Sequence, residues 1–249
     1  GSALLFAVDG EPQFTGQVVS ATTSTQTVVV DLSALGGGRF LVGNQGWYSF
    51  SNTLPERAAL QICADFGIPA GSIAAAGVAV SRKFPGVALD DILLTLYTLA
   101  GETSGKRYVL RFSGEGALEV REKAAAPSLE LTSTMGVTNT WDIQTLCNRV
   151  EIRTDSGRLV RVVEDRASQT LNGTLQQMVT QRDGEDSGAK ARALLEDHAL
   201  QQSLTVELLD PPLTLKAGEA VTLRDTGSGV SGLFWIDADT HTWKNGNHY

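Results

Sequence analysis

Histidine is the side chain that most readily binds metals and moves protons near neutral pH. This chain of 249 residues has three: His198, His241 and His248. Two of them fall in the closing segment DTHTWKNGNHY, residues 239–249, which Asp239 opens. Its Asn245-Gly246 pair is a strong hairpin signal, because a type I′ turn needs positive φ at both central positions. Such a hairpin sets Lys244 against Asn247 and Trp243 against His248. If residues 231–243 are a strand, alternation puts Asp239, His241 and Trp243 on one face. His248 then lies diagonal to His241, at about 7 Å. Two imidazoles and a carboxylate on one face could take a metal ion, but a metal site also needs partners that orient its rings. A hairpin with a Trp–His cross-strand pair explains the same residues more simply, so no metal ligand is assigned. His198 falls on a helical stripe with leucines and reads as a core-edge histidine bonded to backbone.

The remaining chemistry-bearing residues give no catalytic constellation. The serines of DTGSGVSG (225–232) and GETSG (101–105) do not fit the strand-to-helix elbow of a nucleophile. LGGGR (35–39) reads as a flexible turn with no helix directly after it, so it is not taken as a phosphate loop. Asp90 and Asp91 point about 100° apart on a helix and would not share a site; their place is a helix start. Two carboxylates brought together in space could hydrolyse glycosides, but the sequence gives no positive sign of it. Cys63 and Cys147 are too few for a disulfide framework and read as buried free thiols. No catalytic residue, cofactor or metal is therefore assigned, and the chain is not read as an enzyme.

Composition narrows the partners. The formal net charge of −8 argues against a nucleic-acid grip, which needs clustered Lys and Arg to displace counterions. No apolar run approaches the ~20 residues of a membrane helix.

The elements that must position these residues are mostly strands. Residues near 3–8, 13–20 and 26–32 alternate as strands, with Asp9-Gly10 turning the first pair. Gly1-Ser2 reads as an expression remnant, and three strands leave open edges, so the chain is expected to start inside a fold. Thr53-Leu54-Pro55-Glu56 reads as a capping box. Ala59, Ile62, Cys63 and Phe66 then make one helical stripe, ended by Gly67. The run GVAVSRKF (77–84) is a short strand. A second helix is expected over about 88–101, with Leu89, Ile92, Leu93, Leu96 and Ala100 inward. Tyr108, Leu110 and Phe112 alternate against Leu118 and Val120 in a hairpin. AAAPS (124–128) reads as a linker. Beyond it, strands are expected near 140–154, 157–164, 174–181, 202–209, 219–225 and 231–243. One helix, about 185–200, starts at Glu185-Asp186 and buries Ala191, Leu194, Leu195 and His198.

In this order, YSFSNTLPERAALQICADFGIPAGSI, ALDDILLTLYTLAGETSGKRYVLRFSGEGALEVREK, CNRVEI, AKARALLEDH and GLFWIDADTHTWKNGNHY resemble the XkdQ/YqbQ family of phage and prophage tail proteins. The resemblance covers about residues 4–249. It implies a hub at the base of contractile tails and related injection systems. There a homotrimer with two tube-like barrels per subunit forms a pseudo-sixfold ring between the tail tube and the spike. The expected fold class is α+β, mainly β, with tube-type β-barrel domains and a small inserted α+β domain. Residues 1–46 would be a partial N-terminal barrel, 47–123 the α+β domain, and 124–249 a barrel with one packed helix. Family members continue beyond both ends of this chain, which is expected to be truncated. The implied partners are further copies of itself, the tail tube protein, the spike, other baseplate proteins and a tape-measure protein. Neither sequence-specific nucleic-acid binding nor membrane insertion is expected. The implied location is the virion or tail-like particle, assembled in the bacterial cytoplasm. An acidic lumen in such a ring would let DNA slide. The competing class is a peptidoglycan hydrolase or glycan-binding tail-tip module. It would need paired acids in a cleft or aromatics lining a groove, whereas aromatics are 6% of the chain and thinly spread.

Overall fold

A computed structural model describes the chain except residues 25, 27, 28, 133 and 182–186, and describes 189, 190, 193 and 197 by their backbone alone. The chain is mainly β, with 45% strand and 20% helix. Its sheets have two or three strands, and no closed barrel forms among the described residues.

The chain opens with β1 (Ala3–Val8), β2 (Glu11–Thr23) and β3 (Val30–Gly36), an antiparallel meander in the order β1-β2-β3. Asp9 and Gly10 both have positive φ, 51° and 86°, so the expected type I′ turn forms. No residue of these strands is fully buried. A short helix, α1 (Gly38–Val42), follows directly. The glycine run 35–39 is therefore a helix lead-in, contrary to the sequence reading. Its smallness matters because a Cβ at Gly37 would run into the Phe112 ring.

The next segment holds the main core. β4 (Gln45–Thr53) leads into α2 (Pro55–Phe66), then β5 (Ala70–Ile73), β6 (Val80–Ala88), α3 (Leu89–Ser104), β7 (Tyr108–Phe112) and β8 (Leu118–Glu122). The helical periodicity reads out directly. Ala59 and Ile62 of α2, with Leu89, Ile92, Leu93, Leu96 and Ala100 of α3, are wholly buried together with Leu118 and Val120 of β8. Each such aliphatic side chain contributes roughly 1.5–3 kcal/mol by leaving water. The β7–β8 register pairs Leu110 with Val120 and Phe112 with Leu118, as the alternation predicts. Gly67 ends α2 with φ 64°.

The capping box does not form. Pro55 occupies the first helical position, where its missing N–H costs nothing, so Leu54 becomes the N-cap. Thr53 stays in β4 and donates to the Ser51 carbonyl (3.1 Å). Glu56 instead accepts from the Ala76 N–H (3.1 Å).

After β9 (Leu129–Leu131) come β10 (Gly136–Asp142), β11 (Arg149–Arg153), β12 (Leu159–Glu164), α4 (Arg166–Asn172), β13 (Gln176–Thr180), α5 (Ser187–Asp197) and β14 (Gln201–Glu207). The single strand expected over 140–154 is two strands, β10 and β11. Asp142 breaks it by accepting from the Gln144 N–H (2.7 Å), an Asx-type turn. β10 pairs with β14 as an antiparallel ribbon. β11 is central to the sheet β12-β11-β13, antiparallel to β12 and parallel to β13. Cys147, Val150, Ile152, Val179 and Ala191 form its core, with Leu194 and Leu195 against them. The helix start read at Glu185-Asp186 lies outside the described residues. The helix α4 was missed in the sequence reading.

The chain ends with β15 (Ala220–Asp225), β16 (Val230–Trp235), β17 (Trp243–Lys244) and β18 (Asn247–His248). Two compact units result: residues 1–131, 211–223 and 231–248 in the first, and 132–210, 224–230 and 249 in the second. AAAPS carries no helix or strand, yet it is tied down. Ala124 accepts from the Trp235 indole (2.8 Å), and the Ser128 N–H donates to Ala220 (2.7 Å).

Candidate functional site

The strand expected over 231–243 stops at Trp235. From there to Trp243 the chain is irregular and held by specific bonds. The Gly218 N–H donates to the Ile236 carbonyl (2.8 Å), and the Ile236 N–H donates to Glu219 (2.9 Å). Asp239 Oδ1 accepts from the Ala217 N–H (2.8 Å), and Lys123 pairs with Asp237 (2.8 Å). The Asn245-Gly246 turn then forms with φ 54° and 79°, and pairs Trp243 with His248 and Lys244 with Asn247, as the sequence predicts.

This arrangement gathers the singled-out residues. His241 Nδ1 and His248 Nε2 lie 2.8 Å apart. On the other side of His241, Nε2 lies 3.5 Å from Asp239 Oδ2. The ring of Trp243 stacks on His248 at 4.4 Å and 3°, and Phe6 of β1 tilts against it at 4.7 Å. Phe6, Phe14, Phe112, Trp243, Arg111 and Lys216 help line an open cleft of about 470 Å³ that His241 and Asp239 also border. Arg111 spends its guanidinium on Glu119 (3.0 Å), the Ala217 carbonyl (3.3 Å) and Glu219 (3.9 Å).

The geometry of the two imidazoles is that of a hydrogen bond. Their ring centroids are 5.0 Å apart. That is close to the 2.8 Å gap plus two ring radii, so the nitrogens meet nearly head-on, as in an N–H···N bond. A cation coordinated by both rings would sit off that line, with both lone pairs turned toward it. Asp239 faces the other nitrogen of His241 and does not converge with them. Among the described residues no group of three or more His, Cys, Asp or Glu is placed to hold a metal. Asp239 is also the one carboxylate among the lining residues, where glycoside hydrolysis uses a pair.

The other candidates disperse. His198 is half-buried beside a smaller hollow with Gln144, Leu146 and Leu175, and its backbone carbonyl accepts from the Cys147 N–H (2.8 Å). Asp90 and Asp91 lie in the first turn of α3, as expected. Cys63 and Cys147 are buried free thiols; burial pushes the Cys63 thiol above its ordinary range. Sequence reasoning missed Arg111, Lys216 and Phe6 as cleft residues, because contacts more than a hundred residues apart leave no local spacing. It also passed over Asn148 of CNRVEI, which is 1% exposed. Its amide donates to the Gly173 carbonyl (2.7 Å), and its side-chain oxygen accepts from the Leu175 N–H (2.8 Å).

Comparison with known proteins places this architecture. A family model described as YQBQ-like matches residues 1–249. The phage-like element PBSX protein XkdQ of Bacillus subtilis is 26% identical over 261 residues, covering 100% of this chain and 79% of XkdQ. YqbQ of the same organism is 24% identical, with the same coverage. Among solved structures, the tail protein of Neisseria meningitidis MC58 superposes with a TM-score of 0.73 at 18% identity, over 94% of this chain and 77% of that one. The 43 kDa tail protein of prophage MuSo2 from Shewanella oneidensis gives 0.69 at 18% identity, with the same coverage.

Proposed function

The chain belongs to the YQBQ-like family, and from that premise we propose that it is a structural hub protein of a phage tail or tail-like contractile injection particle. It joins the tail tube to the spike as a homotrimeric ring. The observation that carries this reading is the similarity to XkdQ, a protein of a phage-like element, over the full length of the chain. The shared fold with two tail proteins supports it. So does a β1–β3 meander without a fully buried residue, a surface suited to an assembly. In the ring, segments 1–46 and 124–249 supply the tube-like parts, and 47–123 forms the inserted α+β domain. The partners are the tail tube protein, the spike, neighbouring baseplate proteins and a tape-measure protein. The site of action is the particle, after assembly in the bacterial cytoplasm. Acidic side chains facing the ring channel, drawn from a net charge of −8, keep DNA from sticking. Among the described residues no helix is long and apolar enough to cross a membrane.

Electron microscopy of assembled particles tests the reading, with copy number counted by quantitative mass spectrometry. Three subunits in one ring between tube and spike are expected. A copy number that is not a multiple of three, or a position away from the tube–spike junction, removes the hub assignment.

A further inference from the structure

We propose that Asn245 is a modification site, where spontaneous deamidation through a cyclic imide rewrites the turn of the C-terminal hairpin. Two asparagines of the chain precede glycine, in Asn172-Gly173 and Asn245-Gly246. Glycine matters because the attacking group is the backbone nitrogen of the following residue, and glycine has no Cβ to shield it. A Cβ built at Gly246 would meet no atom within 4 Å, so the approach is also open from outside.

Exposure does not separate the two pairs, since both asparagines are exposed. Hydrogen bonding does. Asn172 closes α4, and its amide donates to the Ser168 carbonyl (3.2 Å) and to the Ser168 hydroxyl oxygen (3.4 Å). The Gly173 N–H donates to the Gln169 carbonyl (2.9 Å). Bringing the Gly173 nitrogen onto the Asn172 side chain breaks these bonds. Asn245 and Gly246, with φ of 54° and 79°, are the central residues of a turn whose closing pair is Lys244 with Asn247. Among the described residues neither the Asn245 amide nor the Gly246 N–H makes a hydrogen bond. The central peptide therefore rotates about the Asn245 Cα–C bond, and presents the Gly246 nitrogen to Cγ, without giving one up.

Hydroxide removes the Gly246 amide proton. The nitrogen attacks Asn245 Cγ, the N–Cγ bond forms, the Cγ–Nδ2 bond breaks, and ammonia leaves with a proton from water. Water then opens the imide, at Cγ to give an aspartate or at the backbone carbonyl carbon to give an isoaspartate. The sum is one amide and one water converted to a carboxylate and ammonium, with no oxidant or reductant. The isoaspartate routes the main chain through the side-chain carbon and so adds a methylene to the turn. A two-residue turn sets hairpin register by its length. The product therefore disturbs the pairing of Trp243 with His248 and the contact of Trp243 with Phe6. It also sets a carboxylate next to Lys244.

The test follows the full 249-residue chain in 18O-labelled water at pH 6 and pH 8, native and in urea, by peptide mapping with mass spectrometry. In the native chain, 18O is expected to enter at Asn245 roughly tenfold or more faster than at Asn172, the protection that lost hydrogen bonds impose. Both rates rise with pH, and in urea they converge. The Trp243 indole 15N–1H signal, assigned with W243F, is expected to move with the same time course as the label at Asn245. Equal native rates at the two sites overturn the proposal. So does a preference for Asn245 that persists unchanged in urea, or an indole signal that stays fixed as chains convert.

Discussion

Asn148 shows how much one side chain can fix. Its amide and carbonyl bridge the Gly173 carbonyl and the Leu175 N–H, and its own backbone carbonyl accepts from the Asp165 N–H (2.9 Å). N148A removes both part-buried hydrogen bonds and empties a buried site, at a cost of about 1–3 kcal/mol; chemical denaturation measures it. Glu151, on the neighbouring strand β11, carries a pH dependence. The hydrogen bond from Arg153 (2.8 Å), with a second from Arg149 (3.2 Å), holds its carboxyl below the ordinary 4.5. Because the folded value is the lower one, its contribution is complete above pH 4.5 and is lost as pH falls through the folded value. Glu164 behaves alike, held down first by Arg166 and then by Gln169. The melting temperature is therefore expected to fall less between pH 6 and 3 in E151Q than in the wild type; equal falls would show that the ion pair is idle. Of the cleft, the local half was legible in the sequence. The Asn-Gly turn announced the Trp243–His248 pair, while Arg111 and Lys216 reached the cleft only through tertiary folding.

At the scale of elements, periodicity read well where a single face is buried and failed where local polar groups interrupt it. The stripe of α3 was legible because every fourth or third residue is apolar, and the energetics follow. L93A empties a fully buried position and should cost about 2–5 kcal/mol, whereas L94A, at a site 45% exposed, should stay within about 0.5 kcal/mol. Urea titration of both variants separates them; comparable losses would place the core elsewhere. Helix α4 went unread although its signals are present. Asp165 caps it by accepting from the Ser168 N–H (3.0 Å), and Gly173 follows its last residue. The parallel pairings of β5 with β8, β9 with β15 and β11 with β13 join distant segments and leave no local trace. The loop between β7 and β8 offers a similar case. A Cβ at Gly114 would strike the Pro12 carbonyl, and Thr15 donates to the Gly114 carbonyl (2.7 Å). G114A sets side chain against rigid backbone, so it is expected to loosen the β1–β3 meander from the hairpin, at about 1–3 kcal/mol. Faster amide exchange in β2, with α2 and α3 unchanged, is the sign to look for.

Two of the buried clusters among the described residues lie in different units of the molecule. One is built from α2, α3 and β8; the other comprises Cys147, Val150, Ile152, Val179 and Ala191 around β11. The units holding them are not consecutive stretches, since residues 211–223 and 231–248 return to the first. Cooperative unfolding follows a packed core more closely than chain order, and chains with several cores commonly depart from two-state behaviour. Two calorimetric transitions are therefore expected. L93A should lower one and N148A the other, each by roughly 5–15 °C. The tryptophans assign them. Trp141 lies in the second unit, while Trp47, Trp235 and Trp243 lie in the first. W141F should therefore silence the fluorescence change of the transition that N148A shifts and leave the other visible. If a single transition appears and both variants move it equally, the cores are coupled and the chain unfolds as one cooperative block.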